Sequence, residues 1–207
     1  MQYHMLDMEH FPRRAHFSYF STMANPYVGV TVEVDITDFL ARCHEKGYPF
    51  FLSFVHAVGQ AANDVPQLRQ RIIDGGIAEF DSCDTSHSVM CADGTYAYCR
   101  LDCRGSLEDF LPEAKKLHEQ ARLSPTLDDG EDGVGLLFLS SLPWISYTAL
   151  VQPTPTPADS NPRITWGKYF TRDGRTLLPV TLLANHALVD GLHMAAFYEA
   201  LSAHLGE

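Results

Sequence analysis

Positive charge is scarce in this chain: 15 Lys and Arg stand against 26 Asp and Glu, a net charge of -11 over 207 residues. So acidic a surface is a poor match for nucleic acid or an anionic membrane face, and neither is expected as a partner. Long apolar runs are missing too. No stretch of 18 apolar residues occurs, and the opening MQYHMLDMEHFPRRAHF has no hydrophobic signal core. No membrane span and no export are expected, and the chain reads as cytoplasmic. Five cysteines, at positions 43, 83, 91, 99 and 103, form no Cys-x-x-Cys pair. Cys99-x-x-x-Cys103 lacks a second pair of ligands, so no metal site is expected and the thiols are read as free. No repeat and no linker-like stretch divides the chain. At 45% hydrophobic it supports one domain, residues 1–207.

What is present is concentrated between Thr181 and Leu205. Leu177 to Ala184 is an apolar, strand-like run, Gly191 punctuates the chain, and Leu192 to Leu205 carries helical spacing with one apolar face. His186 therefore falls where a strand ends, four residues before Asp190-Gly191. A chain of this composition would contain His-x-x-x-Asp-Gly by chance roughly 0.05 times. Asp190 also has an ordinary reading as a helix N-cap, and His186 as a satisfied polar residue at a strand end.

Upstream, Pro12 to Met23 reads as a helix with Pro at its start, bringing Arg13, Arg14, Tyr19 and Phe20 within a few turns. Tyr27 to Ile36 alternates as a strand with one buried face. Two helices, Asp38 to Lys46 and Tyr48 to Asp64, break at Gly47, and the second is strongly apolar. Asp74-Gly75-Gly76 turns a hairpin between Arg71–Ile73 and Ile77–Phe80. Strands at Ser86–Ala92 and Thr95–Leu101 precede an amphipathic helix, Leu107–Arg122, and an acidic, mobile surface loop, Leu123–Gly133. A strand at Leu136–Leu142, an irregular Pro-rich connection at Gln152–Pro162, and strands at Arg163–Thr171 and Leu177–Ala184 complete the pattern. Strands interleaved with helices predict a two-layer α/β (α+β) sandwich built on a large mixed sheet flanked by helices.

Several stretches together carry a resemblance: Asp35 to Leu40 (DITDFL), Ile73 to Ser82 (IDGGIAEFDS), Ser140 to Ser146 (SSLPWIS), Thr165 to Phe170 (TWGKYF) and Asn185 to His193 (NHALVDGLH). In order and spacing the chain resembles the chloramphenicol acetyltransferase family along nearly its whole length. The resemblance implies transfer of the acetyl group of acetyl-CoA, a co-substrate and not a bound cofactor, to a hydroxyl of chloramphenicol or a related small alcohol. It implies His186 as catalytic base, Asp190 and Arg13 as a structural ion pair, Ser140 at the oxyanion and Thr165 on a nearby water. It also implies a homotrimer whose histidine faces the acceptor pocket of a neighbour. Trp144, Lys168, Tyr169 and Phe51 become candidates for the CoA channel, and Tyr19, Phe20, Ala24 and Ala97 for the acceptor wall.

The chemistry is coherent from the residues alone. Neutral imidazole is suited to take a hydroxyl proton near pH 7, and a pre-placed hydroxyl can donate to the oxyanion of a tetrahedral intermediate. Singly, Arg13 reads equally as surface charge, Ser140 as an ordinary strand hydroxyl and Thr165 as a β-former. The departures are specific. Asn185 stands where the family's first histidine is usual. Pro49-Phe50-Phe51-Leu52 is read in place of the family's Lys-Phe-Tyr-Pro, which removes a phosphate-binding cation. Two other readings compete: the acyltransferase of 2-oxoacid dehydrogenase complexes, and a non-catalytic small-molecule binding domain of the same fold.

Overall fold

The computed structural model describes residues 1–128 and 131–206. β1 (Tyr3–Met5) and α1 (Arg14–Phe20) lead into β2 (Tyr27–Asp35), α2 (Thr37–Lys46) and α3 (Phe50–Asn63). β3 (Gln70–Ile73), β4 (Gly76–Phe80), β5 (Thr85–Met90) and β6 (Tyr96–Leu101) follow, then α4 (Leu107–Leu123) and β7 (Leu137–Ser141). β8 (Arg163–Trp166), β9 (Phe170–Arg172), β10 (Arg175–Asn185) and α5 (Gly191–Gly206) close the chain.

A seven-stranded sheet in the order β2-β10-β8-β7-β5-β6, with β9 also on β10, forms one layer. β5, β7 and β8 run parallel, and the remaining pairs are antiparallel. The mixed sheet and its helices match the expected sandwich. Alternation decides which side chains meet the helices: Val180, Leu182 and Ala184 of β10 and Ile164 and Trp166 of β8 are buried against them. α3 supplies the heart of that layer with Phe54, Val55 and Val58, all at 0% exposure, and packs on α4 and α5. α5 answers with Met194, Phe197, Leu201 and Leu205, one buried stripe at helical spacing.

The other face of the sheet carries hydroxyls. Thr31, Thr181, Thr165 and Ser140 lie side by side across β2, β10, β8 and β7, and one residue beyond the β5–β7 pairing Ser88 extends the row to Tyr98. Thr31 and Thr181 share a hydrogen bond of 2.7 Å, and Thr181 donates to the Tyr147 hydroxyl at 3.2 Å.

Three expectations are corrected. Arg163–Thr171 is not one strand but two, because three residues, Gly167 to Tyr169, oppose two on β10, Leu178 and Pro179. Pro179 has no N–H to give the ladder, and only a residue without a side chain fits at 167, where a Cβ would stand 2.9 Å from the Ile145 carbonyl oxygen and the Tyr147 ring. The first helix is shorter than Pro12–Met23, starting only after Arg13. In the acidic stretch 123–133, Asp129 and Gly130 lie outside the described residues, the Thr126 carbonyl accepts from the Tyr98 N–H at 2.8 Å, and Glu131–Gly135 is a short 3-10 helix. The hairpin turn is as expected, with positive φ at Asp74 and Gly75 (50° and 77°). β1, which pairs with β4 in a separate three-stranded sheet, was not foreseen.

All five cysteines are free and buried. Burial raises the Cys99 thiol to about 11 and the Cys103 thiol to about 12.

His87 of β5 and His118 of α4 meet inside the helix layer, Nε2 to Nδ1 at 3.1 Å. Burial, with His118 alongside, pushes His87 down to about 3. The unfolded chain therefore binds the extra proton between about pH 6.5 and 3, and stability present above the unfolded pKa is lost as pH falls through that window. Unfolding free energy at pH 5 is expected to be lower than at pH 7.5 by about 2 kcal/mol from this group. Urea denaturation at both pH values, compared with His87→Leu, checks it: an equal pH dependence in the variant would remove His87 as the cause.

Candidate active site

β10 ends at Asn185 and delivers His186 to a tight turn. The His186 N–H donates to the Pro26 carbonyl at 2.7 Å, and the Leu188 and Val189 N–H groups both return to the Asn185 carbonyl at 3.0 Å. The imidazole Nδ1 lies 2.9 Å from the Val189 carbonyl oxygen. A carbonyl only accepts, so Nδ1 carries a proton, and in the neutral ring Nε2 keeps its lone pair. Phe20 of α1 stacks on the ring, centroids 3.8 Å apart and planes 16° apart, which fixes its second degree of freedom.

Asp190 holds the turn from its other end. Its Oδ1 accepts the Leu192 N–H at 3.0 Å at the start of α5, and its Oδ2 lies 3.2 Å from Arg13 Nη2. Arg13 also donates from Nη1 to the Leu188 carbonyl, inside the same turn. Capping and ion pairing are thus both present. His193, not singled out in the sequence, stands 3.1 Å from the Asp190 N–H with its Nδ1 as acceptor. Burial lowers the His193 pKa, in keeping with a neutral ring that accepts there. Burial opposes ionisation of Asp190, but His193, Arg13 and the Leu192 and His193 N–H groups outweigh it and hold the carboxyl below its usual value.

Asparagine would keep the cap and remove the charge. Asp190→Asn is expected to lower stability by about 1 kcal/mol at neutral pH, as for a partly exposed pair. The wild-type advantage is present above pH 4 and fades as pH falls through the depressed carboxylate value. Melting temperature and turnover measured together test this, and unchanged values of both would dissolve the pair's role.

Asn185, the residue at the family's usual first histidine, uses its amide within the fold. Its Oδ1 accepts the Ala187 N–H at 3.0 Å and its Nδ2 donates to the Asp159 carbonyl at 2.9 Å. Asp159 in turn receives Arg163 on both carboxylate oxygens and the Tyr27 hydroxyl at 2.9 Å. Burial and Asp159 push the Tyr27 phenol up to about 12, so it remains a donor. Asp159 and Arg163 were also missed in the sequence, although alternation along β8 puts Arg163 on the face of Thr165.

Ser140 and Thr165 are direct partners across β7 and β8 and open into a cleft of about 640 Å³. Tyr96, Tyr98, Met90, Trp144 and Val151 form much of its rim, and Met90, Trp144 and Val151 are at least half exposed. His186 is not among the cleft residues. Thr181 is level with Thr165 on β10, and Asn185 follows four residues later. That is about 14 Å along the strand, with Ser140 about 10 Å across the sheet, so Ser140 and Asn185 stand roughly 17 Å apart. Within one chain the imidazole and the Ser140 hydroxyl are not brought together.

The CoA candidates gather past the C-terminal ends of β7 and β8. Exposed Trp144 precedes Ile145, whose carbonyl accepts the Lys168 N–H at 2.7 Å, and Tyr169 meets Phe50 edge to face at 6.0 Å. Phe51 is instead packed among His87, His118 and Trp166 in the helix layer. At the α2–α3 junction stands Lys46-Gly47-Tyr48-Pro49, where Lys46 Nζ lies 3.4 Å from Glu108 Oε1 and 5.6 Å from the Tyr48 ring centroid. Of the acceptor candidates, Tyr19 is exposed and meets the stacked Phe20 edge to face, and Ala24 is exposed. Ala97 is corrected: it is fully buried on the helix side of β6, and its neighbours Tyr96 and Tyr98 face the cleft. Among the described residues no cluster of metal-ligating side chains occurs, and no helix is long and apolar enough to cross a membrane.

Comparison with known proteins places these features in a wider set. The chain matches the family described as chloramphenicol acetyltransferase over residues 1–202. It is 28% identical over 209 residues to chloramphenicol acetyltransferase 2 of Escherichia coli, covering 97% of this chain and 96% of that relative. A solved chloramphenicol acetyltransferase superposes with a TM-score of 0.87 at 25% identity, covering 99% of this chain and 100% of the other. A dihydrolipoamide acetyltransferase of Azotobacter vinelandii shares the fold, with a TM-score of 0.69 at 21% identity, covering 93% and 86%.

Proposed function

Because the chain belongs to the chloramphenicol acetyltransferase family, we propose that it transfers the acetyl group of acetyl-CoA to a hydroxyl of chloramphenicol or a related small alcohol, with His186 as general base. The enzyme is an acetyl-CoA-dependent O-acetyltransferase, and residues 1–207 act as one acetyltransferase domain. The carrying observation is the His186 tautomer, with Nδ1 tied to the Val189 carbonyl and Nε2 free to accept a proton. Nε2 takes the acceptor's hydroxyl proton while the alcohol oxygen attacks the thioester carbonyl carbon. Ser140 Oγ–H donates to the resulting oxyanion, an effect worth roughly 3 to 4 kcal/mol at such sites. Collapse breaks the carbon–sulfur bond, and the departing thiolate of CoA recovers the proton from the imidazolium. Thr165 holds a water beside this centre, and Asp190 with Arg13 aims the turn without touching the imidazole.

The strand register that separates His186 from Ser140 supports a site shared between two copies, and a closed homotrimer satisfies such a head-to-tail contact with no interface left open. The exposed Met90, Trp144 and Val151 around the cleft suit that burial. Trp144, Lys168 and Tyr169 line the approach of CoA, and Lys46, paired with Glu108, is a further cation for phosphates that need positive charge in a chain this acidic. Phe51 backs that wall from the helix layer. Tyr19, Phe20 and Ala24 reach the acceptor from the chain that contributes His186. The protein is a cytoplasmic enzyme in this reading.

Chloramphenicol is expected to be accepted without being the best acceptor, because the cleft offers Tyr96, Tyr98, Ser86 and Gln152. Each bulky apolar contact absent from an acceptor wall lowers affinity by roughly 1 to 3 kcal/mol while leaving the chemical step intact. Release of CoA thiol on mixing the protein, acetyl-CoA and chloramphenicol tests the reading. No release with chloramphenicol or any of a panel of small primary alcohols would reject it.

A further inference from the structure

Among the described residues that line the cleft, Arg163 is the one charged side chain. It is built into the wall and not solvated: its side chain is only 12% exposed. Asp159 accepts from Nη1 at 2.8 Å and from Nη2 at 2.7 Å, and Nη1 also donates to the Asn161 carbonyl at 3.1 Å. The guanidinium carbon lies 5.7 Å from the Tyr27 ring centroid and 5.5 Å from that of Phe138. Two aromatic rings and a bidentate carboxylate fix the orientation of a planar group. These contacts engage three of its five N–H donors. Even with one more turned to the Tyr27 hydroxyl, a donor remains for a ligand.

Its position relative to the chemistry follows from register. Arg163 precedes Thr165 by two residues on the same face of β8, which sets their Cα atoms about 7 Å apart. It lies on the side away from Trp144 and Lys168, which follow the opposite ends of β7 and β8. Gln152, also in the cleft wall, has a buried Nε2 with no partner, a second group that a bound oxygen would satisfy.

We propose that Arg163 selects the acceptor, presenting an N–H to a neutral hydrogen-bond-accepting oxygen, an amide or ester carbonyl elsewhere on the molecule whose hydroxyl is acetylated. The inference rests on the acyl-acceptor reading of this cleft. Asp159 already cancels the arginine charge, so a carboxylate gains less here than at a free arginine, and an apolar body leaves the donor unsatisfied. The cleft therefore favours oxygen-rich primary alcohols over aromatic or aliphatic ones.

Two probes separate these classes: N-acetyl-L-serinamide, which carries two amide carbonyls, and 3-phenylpropan-1-ol, which carries none. Each is titrated into the whole protein and followed by NMR. Wild type is expected to bind the amide more tightly. In Arg163→Leu combined with Asp159→Asn, which leaves no unpaired charge, the ratio of dissociation constants is expected to move toward the phenyl alcohol by roughly tenfold or more. An unchanged ratio in the folded double variant overturns the proposal. If that variant does not fold, Arg163→Lys keeps the charge but loses the planar fork, and it is expected to move the ratio in the same direction, with no movement counting against Arg163. Thiol release from acetyl-CoA with the same alcohols is read separately. A binding preference that depends on Arg163 without any turnover supports the selector and rejects acetyl transfer.

Discussion

His186→Ala is expected to reduce turnover at least about 100-fold, the usual loss when a general base is removed. The size of the effect follows from how little else could take the proton. The ring is held on two sides, by the Val189 carbonyl at Nδ1 and by Phe20 stacked at 3.8 Å, so its free nitrogen points one way. His193, the nearest other imidazole in the motif, already spends its Nδ1 on the Asp190 N–H within the fold. The Michaelis constant for acetyl-CoA is expected to stay within a few-fold, since a base acts on the transition state more than on bound substrate. Steady-state thiol release with saturating acceptor measures both. Near-normal turnover would take the proton-accepting role away from His186.

An equal mixture of His186→Ala and Ser140→Ala subunits, unfolded and reassembled together, is expected to recover activity that neither variant has alone. If each site takes its histidine from one copy and its serine from the next, about a quarter of the interfaces in a random mixture join an intact histidine to an intact serine. Recovery near that fraction of wild-type activity is therefore expected. The basis is the roughly 17 Å that strand register puts between Ser140 and the end of β10 within one chain. No recovery, in mixtures shown to exchange subunits, would return both residues to a single chain. Light scattering of the active protein fixes the copy number independently.

Much of this arrangement is legible in the residues. Alternation along 27–35 and 175–185, the Asp74-Gly75 turn and the helical stripe of α5 all obey periodicities that burial enforces locally. β1 escaped because Tyr3, His4 and Met5 are all exposed, so no buried face marks them. The break at Gly167 depends on Pro179 from another strand and on the Ile145 carbonyl, partners no local window contains. Ala97 faces the core and not the acceptor because a shift of one residue along a strand exchanges cleft for core, which leaves the cleft to Tyr96 and Tyr98. Arg163 and Asp159 were overlooked for a related reason. Their role depends on Tyr27, Phe138 and Asn185, which only the folded sheet brings beside them.

The burial of every thiol has a practical side. The five cysteines are all buried, none more than 7% exposed, and burial further quenches those at 99 and 103 with pKa values of about 11 and about 12. A chromogenic disulfide added to follow released CoA would therefore leave the folded enzyme unlabelled and register only product. Once the chain opens, the same reagent would find five new sulfhydryls per polypeptide, so a single dye reports both catalysis and the moment the protein comes apart.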